Sequence, residues 1–599
     1  MEKNVVILDI DYVTYENKPV IRLFSKDKDK NIVLLDDTFE PYLYVAPKDD
    51  DKECQKQILD TLDDVHIEEV IKKDFQVEKT FLKVTFLNPQ ELAKNRDALR
   101  DLDSVDHIRE HDIPFYRRYL IDCDVIPMTE VKACGEKIDS FLNLDSKKHD
   151  LEIIKLTKPL ERVNDDLQDF RILSFDLEVR NPHGMPNSEV DEIIMIGVAS
   201  NFGINQVIST KTNSEDRDDF VNQVESEKEM IETFIDIVKK SNVDIIVGYN
   251  SDNFDLPYIK DRAKLYGLEL DLGMDDSNIK FIRRGFANAA SFKGLIHVDL
   301  YLVMRRYMTL ERYTLERVYY ELFGEEKIDV PGEHIWEYWD SDSTELDDLF
   351  DYSLDDVVST LKIAQQTLPL NLELTRIVGQ PLFDLSRMAT GQQAEWFLVK
   401  EAYFDNEIVP NKPGGSNFAL RAAEEDNEGG YVKEPEIGLH ENLVQFDFRS
   451  LYPSIIISKN ISPDVLVIGD VENRQDYNIS PEHDLKFKKE PKGFIPSVIA
   501  KILNERFKIK KAMKASVDPT EKKTLDVQQQ AIKRLANTMY GIYGFPRFRW
   551  YSYECAKAIT SWGRQYIKRA MKKAEDYGFY AIYADTDGFY ACLLYTSDA

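Results

Sequence analysis

Residues 4–46 alternate apolar and polar positions in short runs, broken by Asn17-Lys18-Pro19 and Asp27-Lys28-Asp29-Lys30, and residues 78–87 repeat the pattern. A period of two puts alternate side chains on one face of a pleated strand, so this stretch predicts a small sheet-rich domain running to about residue 150. A polar stretch at 147–169 leads into 171–179, an apolar strand with acids inserted. From 171 to 368, strand-like runs at 191–200 and 244–250 alternate with helical stretches such as 226–240, the pattern of a mixed α/β sheet flanked by helices. Residues 369–412 read as mostly helical and end in the turn Pro410-Asn411-Lys412-Pro413; a glycine pair, Gly429-Gly430, then precedes a strand at 442–446. Residues 498–515 and 522–540 predict two helices joined by Val517-Asp518-Pro519, an antiparallel hairpin. The expected segments are therefore 1–150 with 369–412 packing back on it, 151–368, 413–496, 497–545 and 546–599. No internal repeat is evident.

At 599 residues the chain needs several cores, at roughly 100–200 residues per domain. A composition of 43% hydrophobic and 31% charged residues argues against disorder. The formal charge of -32 argues against a uniformly basic nucleic-acid binder, yet 485–573 holds 22 Lys and Arg against 6 Asp and Glu, a local +16. Such a run is usually a solvated helix face, but this one brackets the candidate chemistry below. Five cysteines are scattered without CxxC pairing, which excludes a zinc ribbon or disulfide framework and suits a reducing cytoplasm. The start has no signal-peptide core, and no apolar run approaches the ~18 residues that span a bilayer, so a soluble, cytoplasmic protein with no membrane partner is expected.

Within 171–179, Asp176 and Glu178 are two residues apart, and the pleat brings both carboxylates to one face. Neighbouring acids raise each other's pKa, whereas Mg²⁺ or Mn²⁺, which prefer oxygen ligands, stabilise both anions. Asp255 follows an aromatic residue at a strand-to-helix junction. Tyr352 and Asp356 stand at i and i+4, so phenol and carboxylate share a helix face and can position an attacking water. Taken singly, these are ordinary surface, turn or helix acids. The run of strand DxE, loop Asp and helical YxxxD resembles 3′–5′ exonucleases of the DEDDy type on a ribonuclease H-like fold. That resemblance implies that Asp176, Glu178, Asp255 and Asp356 hold two metal ions, with Tyr352 orienting the nucleophilic water.

Asp447 opens DFRSLYPSII (447–456) at the end of an apolar run, and Asp585 and Asp587 sit in a second acidic turn, YADTDG (583–588). Two acidic turns remote in sequence suggest one metal site, the second at the tip of a hairpin. Between them KRLANTMYG (533–541), as a helix, carries Lys533, Asn537 and Tyr540 on one face, and Arg506 and Lys510 stand at i and i+4 on the preceding helix. Cationic helices opposite a divalent-metal site suit a nucleoside triphosphate.

In this order after an exonuclease, the three strings resemble the polymerase motifs of family B DNA polymerases of the archaeal replicative kind. GQPLFDLSRMATGQQAEWFL (379–398), NKP (411–413), GGYVKEPE (429–436), SPD (462–464) and GFIPS (493–497) extend the likeness over nearly the whole chain. The resemblance implies an α/β and α+β multidomain fold: sheet-rich N-terminal domain, ribonuclease H-like exonuclease, palm with an antiparallel sheet, and helical-hairpin fingers at 497–545. It implies a DNA-directed DNA polymerase acting in replication, with two Mg²⁺ per active site, or Mn²⁺ in their place. Asp447, Asp587 and Phe448 would hold the metals and Asp585 would be an auxiliary carboxylate. Ser450, Leu451, Tyr452, Arg506, Lys510, Lys533, Asn537, Tyr540 and Gly541 would bind the incoming nucleotide, the Tyr452 ring lying beneath the sugar and excluding a 2′ hydroxyl. Expected partners are primer-template DNA, deoxynucleoside triphosphates and a sliding clamp, with the protein a monomer.

Tyr12, Pro41, Leu92, Pro114, Phe115 and Arg118 match the archaeal pocket that captures template uracil, although most serve equally well as core residues. Other positions depart from the pattern. Asn427 replaces the tyrosine that usually precedes the glycine pair, which alters the expected balance of editing and synthesis, and motif B reads NTMYG instead of NSxYG. Ser552 stands where relatives from hot environments have a disulfide partner for Cys555, so a moderate growth temperature is expected. The last residues do not continue the palm, so the thumb is expected to be missing and processivity low. Two other readings stay open on sequence: a catalytically silent polymerase-like DNA-binding protein, and a fragment keeping only exonuclease activity. Intact acids disfavour the first and complete polymerase motifs the second.

Overall fold

The computed structural model describes residues 1–28, 30–164, 168–212, 220–284, 287–341, 344–424 and 428–593, so Asn427 lies outside the described residues. The backbone groups into two compact units, Met1–Phe39 with Tyr116–Ala389, and Glu40–Phe115 with Thr390–Ala599.

In the first unit, strands Glu2–Tyr15, Lys18–Asp27, Lys30–Asp36, Leu151–Leu156 and Glu130–Ile138 pair in that order, and Glu130–Ile138 pairs back onto Glu2–Tyr15. The sheet closes on itself, which satisfies its edge strands internally. The boundary expected near residue 150 falls inside this sheet. Leu151–Leu156 lies parallel to Lys30–Asp36, with Leu151 opposite Asn31, and a pairing between segments so remote leaves no local pattern. The expected N-terminal domain is also divided, because residues 40–115 form a separate βαββαβ layer in the second unit.

The other large sheet of the first unit runs Val221–Gln223, Asn205–Ser209, Ile193–Ser200, Ile172–Val179, Ile245–Gly248, Ile296–Asp299. Ile172–Val179 is antiparallel to Ile193–Ser200 and parallel to Ile245–Gly248. Along it every side chain except Asp176 is buried, the signature of a strand covered on both faces. Helix Thr344–Val378 covers one face, packing Val357, Leu361 and Ala364 beside Ala199, Ile245 and Val247. Ser174 Oγ donates to Val357 O at 2.7 Å, fixing the helix along the strand.

In the second unit a four-stranded antiparallel sheet runs Val432–Lys433, Phe579–Asp585, Gly588–Leu593, Leu443–Asp447. Helix Tyr553–Glu575 covers it through Ile567 and Ala574. The helical hairpin is Phe494–Ala515 with Pro519–Tyr543, Asp518 capping the second helix by accepting from Thr520 N at 3.0 Å with Pro519 at its first position. Residues 406–411 belong with the βαββαβ layer: Ile408 N donates to Lys73 O at 2.7 Å and Glu110 N to Asn411 Oδ1 at 3.0 Å. Among the described residues no helix is long and apolar enough to cross a membrane.

Helix Thr344–Val378 approaches the sheet that holds Ile172–Val179 most closely at Gly197, where a Cβ would stand 2.9 Å from both Ser353 O and Val357 Cγ1. One of these is backbone, so the helix must move to admit a methyl group. Gly197→Ala is therefore expected to destabilise the first unit by about 1–3 kcal/mol, read as a lowered unfolding midpoint in denaturant; an unchanged midpoint would show that the helix yields freely.

Candidate active sites

The strand Ile172–Val179 and the helix Thr344–Val378 bring together Asp176, Glu178 and Asp356, with one carboxylate oxygen of each within 4.8 Å of the others. Burial, then the charges of Asp255, Glu178 and Asp356, lifts Asp176 well above the usual carboxylate range. Burial, then Asp356 and Asp255, does the same to Glu178. Asp356 is pushed up to about 6 and Asp255 to about 7, in each case chiefly by burial. Asp255 opens helix Asp255–Leu265; it is buried and electrostatically linked to the others but stands outside the 4.8 Å trio.

Glu178 is 4% exposed and its Oε1 has no hydrogen-bond partner. A buried carboxylate oxygen left in that state is costly unless a cation takes its lone pairs. The all-oxygen donor set fits a hard divalent ion such as Mg²⁺ or Mn²⁺. Tyr352, one turn before Asp356, hydrogen-bonds to the Asp356 carboxylate, and burial raises the phenol's pKa far enough to keep it a neutral donor.

Lys327 escaped sequence reasoning. Its side chain is fully buried, it is ion-paired with Asp356, it donates to Ile328 O at 2.7 Å, and its Nζ lies 4.8 Å from the centre of the Tyr352 ring. Its charge opposes the rise in pKa at Asp176, Glu178 and Asp356. In sequence it is one lysine after Glu325-Glu326, which no pattern separates from a solvated one.

In the second unit, Asp447 ends its strand opposite Gly588, and Asp585 ends the neighbouring strand opposite the same glycine. Antiparallel Cα pairs lie about 4.5–5.5 Å apart and one chain step adds about 3.8 Å, which keeps the Asp447 and Asp587 backbones within about 10 Å. Phe448 N donates to Asp587 O at 2.8 Å and Asp587 N to Asp585 O at 2.7 Å, which locks the turn to the neighbouring strand. All three aspartates are exposed and do not crowd as Asp176, Glu178 and Asp356 do. Burial, then the charge of Asp447, raises the Asp587 pKa.

Ser450, at φ +51°, turns the chain from Asp447 into helix Leu451–Lys459, whose first turn has no side-chain cap. Uncapped N–H groups there suit an anion. Partial burial, then the charges of Arg506, Arg449, Lys514 and Lys533, pulls the Lys510 ammonium below its ordinary pKa. Cations from the turn after Asp447 and from both hairpin helices therefore share one field, with Lys533 and Asn537 exposed on the second helix. Arg449 lies inside DFRSLYPSII, but a single arginine in a turn carries no spacing signal that marks it out.

The side chains of two expected nucleotide contacts are engaged within the protein. Arg506 is only 9% exposed, and its Nε and Nη2 both donate to Gln529 Oε1, at 3.2 and 3.1 Å, bridging the two helices. Leu451 is buried, its side chain spent on packing. The spacing put Arg506 on the right helix, but the facing glutamine was not visible in it. The Tyr452 and Tyr540 rings stack, with centroids 4.1 Å apart at 30°. Gly541 is exposed beside a cavity of about 320 Å³ that Arg421, Tyr551 and Tyr553 also line.

Of the uracil-pocket residues, Tyr12 and Arg118 belong to the first unit and Pro41, Leu92, Pro114 and Phe115 to the second. Pro41 and Phe115 are buried, Leu92 packs on the βαββαβ core, and Pro114 is exposed. Their expected role rests on the resemblance alone.

Comparison with known proteins agrees with this geometry. Residues 386–595 match the family model for DNA polymerase family B, and residues 106–318 match that for the DNA polymerase family B exonuclease domain. The DNA polymerase of Thermococcus gorgonarius is 41% identical over 595 residues, covering 98% of this chain and 71% of that protein. The DNA polymerase of Pyrococcus glycovorans is 40% identical over 598 residues, with the same coverage. The solved structure of the family B DNA polymerase from the hyperthermophilic archaeon Pyrobaculum calidifontis superposes with a TM-score of 0.84 at 29% identity, covering 98% of this chain and 74% of that one. The chain belongs to DNA polymerase family B, the DNA-directed DNA polymerases that carry a 3′–5′ exonuclease domain.

Proposed function

We propose that Asp447 and Asp587 hold the metal ions of nucleotidyl transfer, with Asp585 and Phe448 beside them, and that Asp176, Glu178, Asp255 and Asp356 hold those of 3′–5′ hydrolysis. The observation that carries the first half is the register that sets Asp447 and Asp585 opposite the same glycine, with the positive side chains of Arg449, Lys510, Lys514 and Lys533 sharing one field nearby. Like charges repel, and a cluster anchored two residues after Asp447 is relieved by a polyphosphate. The second half is carried by the orphaned, buried Glu178 oxygen.

When bound, Mg²⁺ or Mn²⁺ would supply Lewis-acid charge neutralisation and lower the pKa of the attacking hydroxyl or water. The chain's own residues do the rest. The primer 3′ oxygen attacks the α-phosphorus and pyrophosphate leaves, while Lys510, Lys533 and the N–H groups following Ser450 bind the charge on the leaving phosphates. Tyr452 forms the floor beneath the sugar, where its ring leaves no room for a 2′ hydroxyl, and Tyr540 backs it. In the exonuclease, neutral Tyr352 orients the water and Lys327 keeps Asp356 ionised. All five cysteines are free, which suits action in a reducing cytoplasm.

Primer extension with Mg²⁺ and the four deoxynucleotides tests the division of labour. Asp447→Ala is expected to reduce extension by about three orders of magnitude or more while leaving hydrolysis of single-stranded DNA intact, and Asp176→Ala to do the reverse. Extension that survives Asp447→Ala would sink the polymerase assignment.

The buried acids also set a pH dependence. Their folded pKa values lie above those of the unfolded chain, about 4, so without metal the folded first unit binds protons that the unfolded chain has released. The stability contributed by these groups is fully present below about pH 4 and is lost as pH rises through the folded values of about 6 and 7. Mg²⁺ competes with those protons, so its thermal stabilisation of the protein is expected to grow from pH 5 to about pH 8 and to be lost in Asp176→Asn. A stabilisation independent of pH would place the metal elsewhere.

A further inference from the structure

Tyr452 meets a third element besides its own helix and Tyr540. Helix Tyr553–Glu575 passes the ring at Gly563, where a Cβ would stand 3.1 Å from Tyr452 Cε1, 3.9 Å from Tyr452 Cδ1 and 3.9 Å from Leu451 Cδ2. Nothing in the backbone asks for glycine here, since Gly563 is an ordinary position in the interior of a helix. Glycine there costs about 1 kcal/mol relative to alanine. The space it leaves is filled by the aromatic ring.

The helix is held on both sides of this position. Arg564 Nη1 donates to Glu428 O at 2.7 Å and to Gly429 O at 2.6 Å, its Nε donates to Glu482 at 3.1 Å, and buried Trp562 packs against Phe487 with centroids 6.0 Å apart. A side chain added at 563 therefore acts on the ring and not on the helix. The ring in turn has little freedom, because Tyr540 already stacks on it at 4.1 Å.

We propose that Gly563 is a positioning residue for sugar selection: by carrying no side chain, it lets the helix back the Tyr452 ring and sets the height of that ring beneath the incoming nucleotide. This rests on the reading of Tyr452 as the residue that excludes a 2′ hydroxyl. A methyl group at 563 pushes the ring a few tenths of an ångström toward the nucleotide. The space for any sugar then narrows, and it narrows most for one that is already too large.

The test is a double-mutant cycle with Gly563→Ala, Tyr452→Ala and the pair, measuring kcat and KM for deoxy- and ribonucleotide insertion with Mg²⁺. Gly563→Ala is expected to raise the deoxynucleotide KM about fivefold with kcat within about twofold, and to increase discrimination against ribonucleotides. In the Tyr452→Ala background the same substitution is expected to change neither by more than about twofold. Equal losses in both backgrounds, or no effect in the wild-type background, would overturn the proposal. Tyr452→Ala with wild-type sugar discrimination would instead remove the reading it rests on, and the proposal with it. Should Gly563→Ala fold poorly, thermal denaturation decides: recovery of stability in the double variant supports the contact, and an unrelieved defect overturns it.

Discussion

Acidic side chains must be held near one another at two places in this chain without driving it apart, and the surroundings of each place decide how strongly they repel. On the exonuclease side, Asp176, Glu178, Asp255 and Asp356 are enclosed by the sheet and the helix that covers it, and burial contributes more to their raised pKa values than any single neighbour does. Low dielectric makes each pairwise repulsion large, so the acids are relieved either by binding protons or by a compensating charge. Buried Lys327 supplies one such charge, and the unpartnered Glu178 oxygen marks where a second is accepted. On the polymerase side, Asp447, Asp585 and Asp587 stand at strand ends in contact with water, which weakens their repulsion and lets a plain antiparallel register hold them.

The positive side chains follow the same logic. Lys510 lies among Arg449, Arg506, Lys514 and Lys533, a grouping of like charge that does not stabilise the fold by itself. One of the five, Arg506, keeps its charge but is tied down by hydrogen bonds to Gln529 and braces the hairpin. Lys533 remains exposed to an anionic ligand. An acidic protein can in this way handle a polyanion, because the relevant potential is local: the Debye length at physiological salt is about 8 Å, so acids farther away are screened.

The proposed selection of the sugar rests on packing instead of charge. Tyr452 is placed by its helix, stacked by Tyr540 and backed by a helix that approaches closely only because position 563 lacks a side chain. Dense packing transmits strain, so a side chain added at 563 would act on the ring through its Cε1 and Cδ1 atoms.

Local order was readable along the chain. The period of two placed Asp176 and Glu178 on one face, the i to i+4 step joined Tyr352 to Asp356, the Asp-Gly turn marked the hairpin holding Asp585 and Asp587, and Val517-Asp518-Pro519 marked the break between the hairpin helices, although the second helix begins at Pro519 itself and not at residue 522. These signals are short-range: they depend on backbone geometry within a few residues, which the sequence determines by itself. The tertiary structure alone decided that Lys327 enters the acid pocket, that Gln529 captures Arg506, that Arg449 joins the lysines, and that residues 40–115 leave the N-terminal barrel, which takes Leu151–Leu156 instead. Each of these joins partners remote in sequence, and such a partner leaves no periodicity, because its cause is the burial and charge balance of the folded whole.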